Sequence, residues 1–380
     1  MRVVKSVIQI YQPVSELLSL MEIFKEMVND CIKTGLENNI TSLKSLSNKS
    51  YHILEKYDAL SYYKLTAISS AVGILRNYRK AQRKNKETKR PYLRKLKLVS
   101  CYGLKIESGN LVIPTTKEPI IIPLNGHTKR TLSGYTIRSF SLTPRTASIC
   151  YAKNINQIKP TGVIGIDRNL NNVTCVDNKL NKNIYKFDKI TIMKREYKET
   201  KSHLKRNDYR IRTLIYTKYG RRQKRRTVQI FHNASKKIVE NAKETNSAIV
   251  MERLTGIRKL YKKGNGQGKN YRFTLNSWSF AELQRQIKYK ADWEGIPVLY
   301  VNPRGTSSNC SKCGSRVIEW ADRMVSCNNC GMALDRDVNA AMNIMLKGAS
   351  WLDADGISKE AMNRNIMTQA MICRVNPQRR

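Results

Sequence analysis

From Ser15 to Leu36 the chain reads SELLSLMEIFKEMVNDCIKTGL, with apolar side chains recurring three and four positions apart. That is the repeat of a helix with one buried face. SYYKLTAISSAVGILRNYRKAQRK repeats the pattern from Ser61 and runs into a basic tail, so the span 14–84 is predicted to be helical. Ahead of it, residues 1–10 alternate weakly and predict a strand. Behind it the period changes. Residues 98–155 open with LVSCYGLKIESGNLVIPTTKEPIIIPL, rich in β-branched residues and cut by Gly and Pro. This predicts a small antiparallel β unit. The N-terminal strand is a candidate to close it, but the pattern alone does not specify closure.

From residue 160 the pattern shifts again. TGVIGIDRNLNNVTCVD reads as two strands around a turn, and a polar, basic helical stretch follows over roughly 189–243. SAIVMERLTG is a short apolar run of buried-strand type that ends at Glu252. FAELQRQIKYKADWEG predicts a helix with Phe280, Leu283 and Ile287 on one face and Gly295 as its stop. IPVLYVN is another buried strand, and in DRDVNAAMNIML the residues Val338, Ala341, Met342 and Met345 mark one helical face. Strands alternating with helices predict an α/β sheet covered on both faces. No internal repeat and no long low-complexity segment interrupts this order.

Composition narrows the picture. The 380 residues suggest two or three compact units, and 41% hydrophobic content is enough for a core. No run approaches the roughly 20 apolar residues of a membrane span. The opening MRVVKSVIQIYQPV is too short and broken for a secretory signal, so a soluble, cytoplasmic protein is expected. Lys and Arg number 70 against 29 Asp and Glu, a formal charge of +41. Such a chain repels itself unless a polyanion neutralises it, which makes nucleic acid the leading partner. A general lysine bias would inflate the total without explaining it. A basic membrane-surface helix fits less well, because the charge runs along the whole chain. The densest stretches are 76–97, with Tyr78 and Tyr92 interleaved, and KYGRRQKRR at 218–226; both are candidates for phosphate contacts. The Gly-rich basic stretch 258–273 lacks the strand-to-helix pattern of a phosphate loop. It reads either as a flexible surface loop or as a lid touching nucleic acid. His232 reads as structural, and Trp278, Trp293 and Trp320 read as core or edge aromatics.

Four of the nine cysteines form two close pairs: Cys310-x2-Cys313, thirteen intervening residues, then Cys327-x2-Cys330. Each pair is a knuckle presenting two thiolates, and four thiolates suit a tetrahedral, structural Zn2+. Gly314 and Gly331 follow the pairs and allow tight turns. Redox pairs or two disulfides are the competing readings, and neither explains two knuckles at this separation. Cys31, Cys101, Cys150, Cys175 and Cys373 follow no disulfide spacing and are expected to be small buried hydrophobes.

Three acids sit at the ends of predicted elements: Asp167 after VIGI, Glu252 after AIVM, and Asp337 in the first turn of a helix. One acid at an element end is most often a cap or turn residue. As a set, three converging carboxylates repel unless a cation neutralises them, and oxygen ligands without histidine select Mg2+ or Mn2+. Two such ions can hydrolyse a phosphodiester. Spacing leaves Asp335 as a rival to Asp337, because residues two apart on a helix point in different directions.

Taken in order, GIDRNLNNVT, IVMERLTG, TSSNCSKCG, CNNCG and DRDVNAAMNI resemble the TnpB (OrfB) family encoded by insertion sequences, relatives of type V CRISPR effectors. The resemblance covers roughly 160–346. It implies a RuvC-like nuclease domain of RNase H fold over 157–305 and 332–350, interrupted by a zinc-ribbon insert at 306–331. It also implies an amino-terminal β-barrel wedge over 1–12 and 90–156, a helical recognition insert at 13–89, and a tail at 351–380. By motif, Asp167, Glu252 and Asp337 match the catalytic, magnesium-binding acids, and Cys310, Cys313, Cys327 and Cys330 match the zinc ligands. The implied activity is RNA-guided endonucleolytic cutting of double-stranded DNA. A strand-transfer transposase and a non-cleaving guided DNA-binding protein are the alternatives. Asn169 stands where many relatives carry Gly; it tolerates left-handed backbone, so the turn is expected to survive.

Overall fold

The computed structural model describes residues 1–352 apart from 85–86, 205–206, 256–265 and 267. The expected C-terminal tail, Cys373, and most of the stretch 258–273 therefore lie outside the described residues. The chain forms two compact units, Met1–Asn154 and the remainder from Ile155. No helix among the described residues is long and apolar enough to cross a membrane.

In the first unit, β1 (Arg2–Ile10) pairs antiparallel with β7 (Thr146–Asn154), with Val7 opposite Ile149. With β6 (Thr136–Leu142) and β2 (Leu98–Ser100) they make a four-stranded sheet in the order β1-β7-β6-β2. A second sheet joins β3 (Lys105–Glu107), β4 (Asn110–Ile113) and β5 (Ile120–Pro123). The chain-distant partner of β1 thus follows the expectation that the N-terminal strand joins this β unit. Between β1 and β2 run α1 (Ser15–Glu37), α2 (Leu43–Ser50) and α3 (Ser61–Gln82). The apolar stripe of α1 (Leu17, Met21, Phe24, Val28) is buried, as are Tyr63, Ala67, Ile68, Ala71 and Leu75 of α3. The helix α4 (Gly126–Leu132) precedes β6 and is capped by the Asn125 side chain, which accepts from Thr128 N. Cys31 is buried as expected, but Cys101 is exposed and Cys150 half-buried. Cys101 falls in the bend after β2, where the chain turns through Gly103 and no sheet covers it.

The second unit is built on a five-stranded sheet in the order β10-β9-β8-β11-β12. Here β8 (Gly162–Arg168), β9 (Asn172–Asp177) and β10 (Lys182–Lys186) form an antiparallel meander. Strands β11 (Ser247–Glu252) and β12 (Val298–Val301) run parallel to β8. The expected basic helical stretch becomes α5 (Asp188–Ser202) and α6 (Tyr216–Glu244), with a π-helical turn at Ile211–Ile215 between them. Part of the presumed Gly-rich loop is instead α7 (Lys269–Asn276), followed by α8 (Phe280–Glu294). Helices α6 and α8 cover one face of the sheet, packing Phe231, Ile238, Leu283 and Ile287 against Ile164, Ile166, Ile249 and Met251. A small sheet of β13 (Ile318–Glu319), β14 (Met324–Ser326) and β15 (Ala333–Asp335) then leads into α9 (Arg336–Leu352).

The helix α9 covers the opposite face, where Ile344, Met345 and Ala349 meet Val163, Val250 and Val301. Side chains alternate along a strand. Val163, Gly165 and Asp167 therefore share the α9 face, as do Ala248, Val250 and Glu252. A Cβ on Gly165 would overlap the backbone of Ala341 and Met345, so its missing side chain is what lets α9 lie against β8.

Candidate functional site

Parallel register brings the first two acids together. Met251 pairs with Ile166, so one step further along the ladder Glu252 comes beside Asp167, on the same face of the sheet. The N-terminus of α9 arrives over that face and brings Asp337, whose carboxylate is 6% exposed. Asp167 feels all three consequences. Burial first, then the charges of Glu252 and Asp337, raise its pKa to about 7. Such a shift marks carboxylates crowded into low dielectric.

The polar groups around the acids hold them apart. Asn169 donates to Asp167 Oδ2 at 2.8 Å and to Asn172 Oδ1 at 3.2 Å, and Asn172 donates to Asp337 Oδ2 at 3.0 Å. Asn169 does not use left-handed backbone; its side chain, not its conformational tolerance, is what the site uses. The turn itself closes through Asn169 N to Asn172 O at 3.0 Å. The Thr306 hydroxyl donates to Glu252 Oε1 at 2.5 Å. Arg168, buried on the other face, donates to the Glu252 carbonyl at 2.6 Å and to Gln284 Oε1 at 2.7 Å, fixing the end of β11. Asp335 accepts from Asp337 N at 2.8 Å and Val338 N at 3.1 Å, so it caps α9 while Asp337 faces the other acids.

The thiolate clip lies directly before this helix. The Sγ atoms of Cys310, Cys313, Cys327 and Cys330 all lie within 4.8 Å of one another. Cys310 and Cys330 are 3.5 Å apart, and Cys313 and Cys327 3.4 Å. Tetrahedral Zn–S bonds of about 2.3 Å put sulfurs about 3.8 Å apart, so the four side chains fit one zinc ion. The two knuckles repeat each other. Gly314 N donates to Cys310 O and Gly331 N to Cys327 O, both at 2.9 Å, with left-handed φ of 79° and 65° at the glycines. Burial pushes the Cys310 thiol up, whereas hydrogen bonds from Ser315 pull Cys313 down to about 5.

The clip is tied to the acids in two ways. From α9, Asn339 accepts from Ser311 N at 2.9 Å and donates to Asn309 O at 2.8 Å, while Asn343 donates to Thr306 O at 2.9 Å. From the clip, Arg323 reaches back and donates to Asp337 Oδ1. Asp322 and Arg323 both adopt left-handed backbone, with φ of 56° and 63°, a conformation that costs a non-glycine residue about 1–2 kcal/mol.

Among the described residues, the thiolates are the only group of three or more such side chains drawn within 4.8 Å. The three acids are more loosely gathered, each with an oxygen already engaged. Their chemistry nonetheless fits hard divalent ions: the donors are oxygens, no histidine takes part, and Asp167 carries charge repulsion that a cation would remove. Sequence reasoning missed Arg168, Asn172, Thr306 and Arg323. Asn172 was accessible in principle, since it stands in the same turn as Asn169. Arg323 was not, because only the folded clip carries it to Asp337.

A mixed sheet with carboxylates gathered at one end, the third delivered by a four-thiolate clip, defines an α/β protein built around an acidic centre. Residues 280–344, spanning α8 to the middle of α9, match the family model described as Cas12f1-like, TNB domain. Over 208 residues the chain is 33% identical to a TnpB-like protein of Methanocaldococcus jannaschii, covering 52% of this chain and 73% of that one. The chain belongs to the TnpB family. It is also 36% identical over 131 residues to the CRISPR-associated endodeoxyribonuclease Cas12f1 of Sulfoacidibacillus thermotolerans. That match covers 33% of this chain and only 28% of the nuclease. In fold the chain is similar to Cas12f1 in the cryo-EM structure of a Cas12f1–sgRNA–target DNA complex. The TM-score is 0.60 at 15% identity, covering 87% of this chain and 83% of that one.

Proposed function

We propose that this chain is an RNA-guided DNA endonuclease of the transposon-encoded TnpB type, hydrolysing phosphodiesters of double-stranded target DNA with Mg2+ or Mn2+. The reading is supported above all by the crowding of Asp167, Glu252 and Asp337, in which Asp167 is raised to about 7. A binding protein has no need of such repulsion, whereas a metal-dependent nuclease does. Divalent ions held by these three carboxylates would activate a water and neutralise charge on the scissile phosphate. The chain's own groups prepare for that. Arg168 anchors the Glu252 backbone, Thr306 orients its carboxylate, and Asn169 and Asn172 set the spacing of Asp167 and Asp337. Arg323 pairs with Asp337 Oδ1, an oxygen that a bound cation would take over.

On this reading Cys310, Cys313, Cys327 and Cys330 hold a structural zinc ion in a ribbon-like insert at 306–331 of a RuvC-like domain that spans 157–305 and 332–350. Residues 1–12 and 90–156 form a wedge of barrel type, with 13–89 as the helical recognition insert. The charge of +41 then serves to bind guide RNA and the heteroduplex it forms with DNA. The test is to purify the protein with its co-purifying RNA, sequence that RNA, and challenge matched duplex DNA in Mg2+. Cutting is expected, and Asp167→Ala is expected to abolish it while RNA is retained. Cutting that persists in Asp167→Ala sinks the assignment.

A further inference from the structure

One cavity of about 330 Å3 lies between α5, α7 and the loop into α8, and the nuclease reading makes no use of it so far. Its walls include Leu170, Lys194, Lys198, Phe273, Ser277 and Trp278. Leu170 stands in the turn between β8 and β9, three residues after Asp167, while Ile190 and Phe231 in the cavity wall belong to the α6/α8 face of the sheet, opposite the face that carries the acids. The residue after Leu170, Asn171, accepts from Thr191 Oγ1 of α5 at 2.8 Å, which ties that helix to the same turn.

The chemistry of the cavity is specific. Lys194 is 8% exposed, and its ammonium donates to the Ser277 carbonyl and, at 3.4 Å, to Ser279 Oγ. Among the described residues no carboxylate pairs with it. A buried cation supported only by neutral oxygens retains much of its desolvation cost. Burial accordingly lowers its pKa to about 8. An arriving anion offsets that cost. Lys198 Nζ lies 4.6 Å from the centre of the Phe273 ring and donates to Asn270 Oδ1 at 2.9 Å, giving a second cation beside an exposed aromatic face. Trp278 adds a half-buried indole to the wall, its ring 5.2 Å from that of Phe280 and tilted to it by 53°. Two ammonium groups beside two rings suit an anion joined to a planar base. The volume falls at the small end of the range for single-ligand sites, roughly 300–1,000 Å3.

We propose that this cavity seats one nucleotide of a DNA strand released when guide RNA opens the duplex, its phosphate on Lys194 and Lys198 and its base against Phe273 and Trp278. The proposal rests on the nuclease reading only in that guide RNA releases the strand. Base–aromatic contacts of this kind tolerate any sequence, as a guided enzyme requires. The four side chains are positioning residues and touch no reacting atom.

The experiment uses the full chain in an Asp167→Ala background, so that no result depends on cutting. A single-stranded DNA oligonucleotide carrying 5-iododeoxyuridine is cross-linked and the modified peptide mapped. The label is expected at Phe273 or Trp278. Lys198→Ala and Phe273→Ala, both at accessible positions, are each expected to weaken strand binding roughly tenfold by anisotropy, through lost charge and lost stacking. Lys194→Met is expected to weaken it further, and Lys198→Ala keeps the test valid if that variant fails to fold. Cross-links confined to other segments, or unchanged affinity in Lys198→Ala and Phe273→Ala, overturn the proposal. So does occupancy by free deoxyadenosine monophosphate at lower concentration than the strand. A wild-type chain that cross-links here yet never cuts DNA removes the nuclease reading and keeps the cavity; one that cuts while cross-linking only elsewhere removes the cavity alone.

Discussion

Asp167 shows how one side chain carries opposing demands. Its pKa is raised from the ordinary 3.8 to about 7, so its proton is bound more tightly in the folded chain than in the unfolded one. The stability linked to that proton is complete below pH 4 and is lost as pH rises through about 7. A gap of about three units corresponds to roughly 4 kcal/mol at most. Without added Mg2+ or Mn2+, Asp167→Asn should therefore raise the melting temperature at pH 8 by several degrees and change it little at pH 5. Thermal scans at the two pH values check this, and equal shifts at both would show that charge is not the cause. The same substitution should abolish Mg2+-dependent cutting. The acids themselves were legible in the sequence because each closes an apolar strand or opens a helix. The amides and hydroxyl that space them were not, since nothing in the spacing of Asn172 or Thr306 distinguishes them from ordinary turn residues.

Among elements, α9 is where fold and site meet. Gly165 allows it to press on β8, and a methyl group there would meet backbone rather than a flexible side chain. Gly165→Ala should cost about 3 kcal/mol, read as a lower urea midpoint, and should displace Asp337 with it. The clip sets the other end of the same constraint, because β15 leads straight into α9 and Asn339 and Asn343 bind the first knuckle. Stripping zinc with a strong chelator should expose 306–335 to limited proteolysis while β8, β9 and β11 stay protected, and should end cutting even in excess Mg2+. Cys327→Ser should behave likewise. The long apolar strands and the amphipathic helices α1, α3, α8 and α9 followed from periodicity. Strand β10 did not, because KNIYK is a polar edge strand with only one neighbour, and α7 did not, because its sequence adjoins a Gly-rich run.

For the whole molecule, the charge of +41 sets the expectation. RNA should co-purify at low salt, and its affinity should fall with salt along a log–log slope corresponding to more than about five neutralised phosphates. Filter binding across a salt series checks this, and a flat response would remove the polyanion as the chain's main partner. The order of the acids along the chain carries a further consequence. Asp167 and Glu252 belong to strands of the sheet, but Asp337 comes 85 positions after Glu252, on the far side of the clip. A polypeptide that stops anywhere before the clip has at most two of the three carboxylates and no helix to bring the last. Truncated translation products of this messenger would lack the complete acidic set, so the cutting proposed above would require synthesis to run past the clip and into α9.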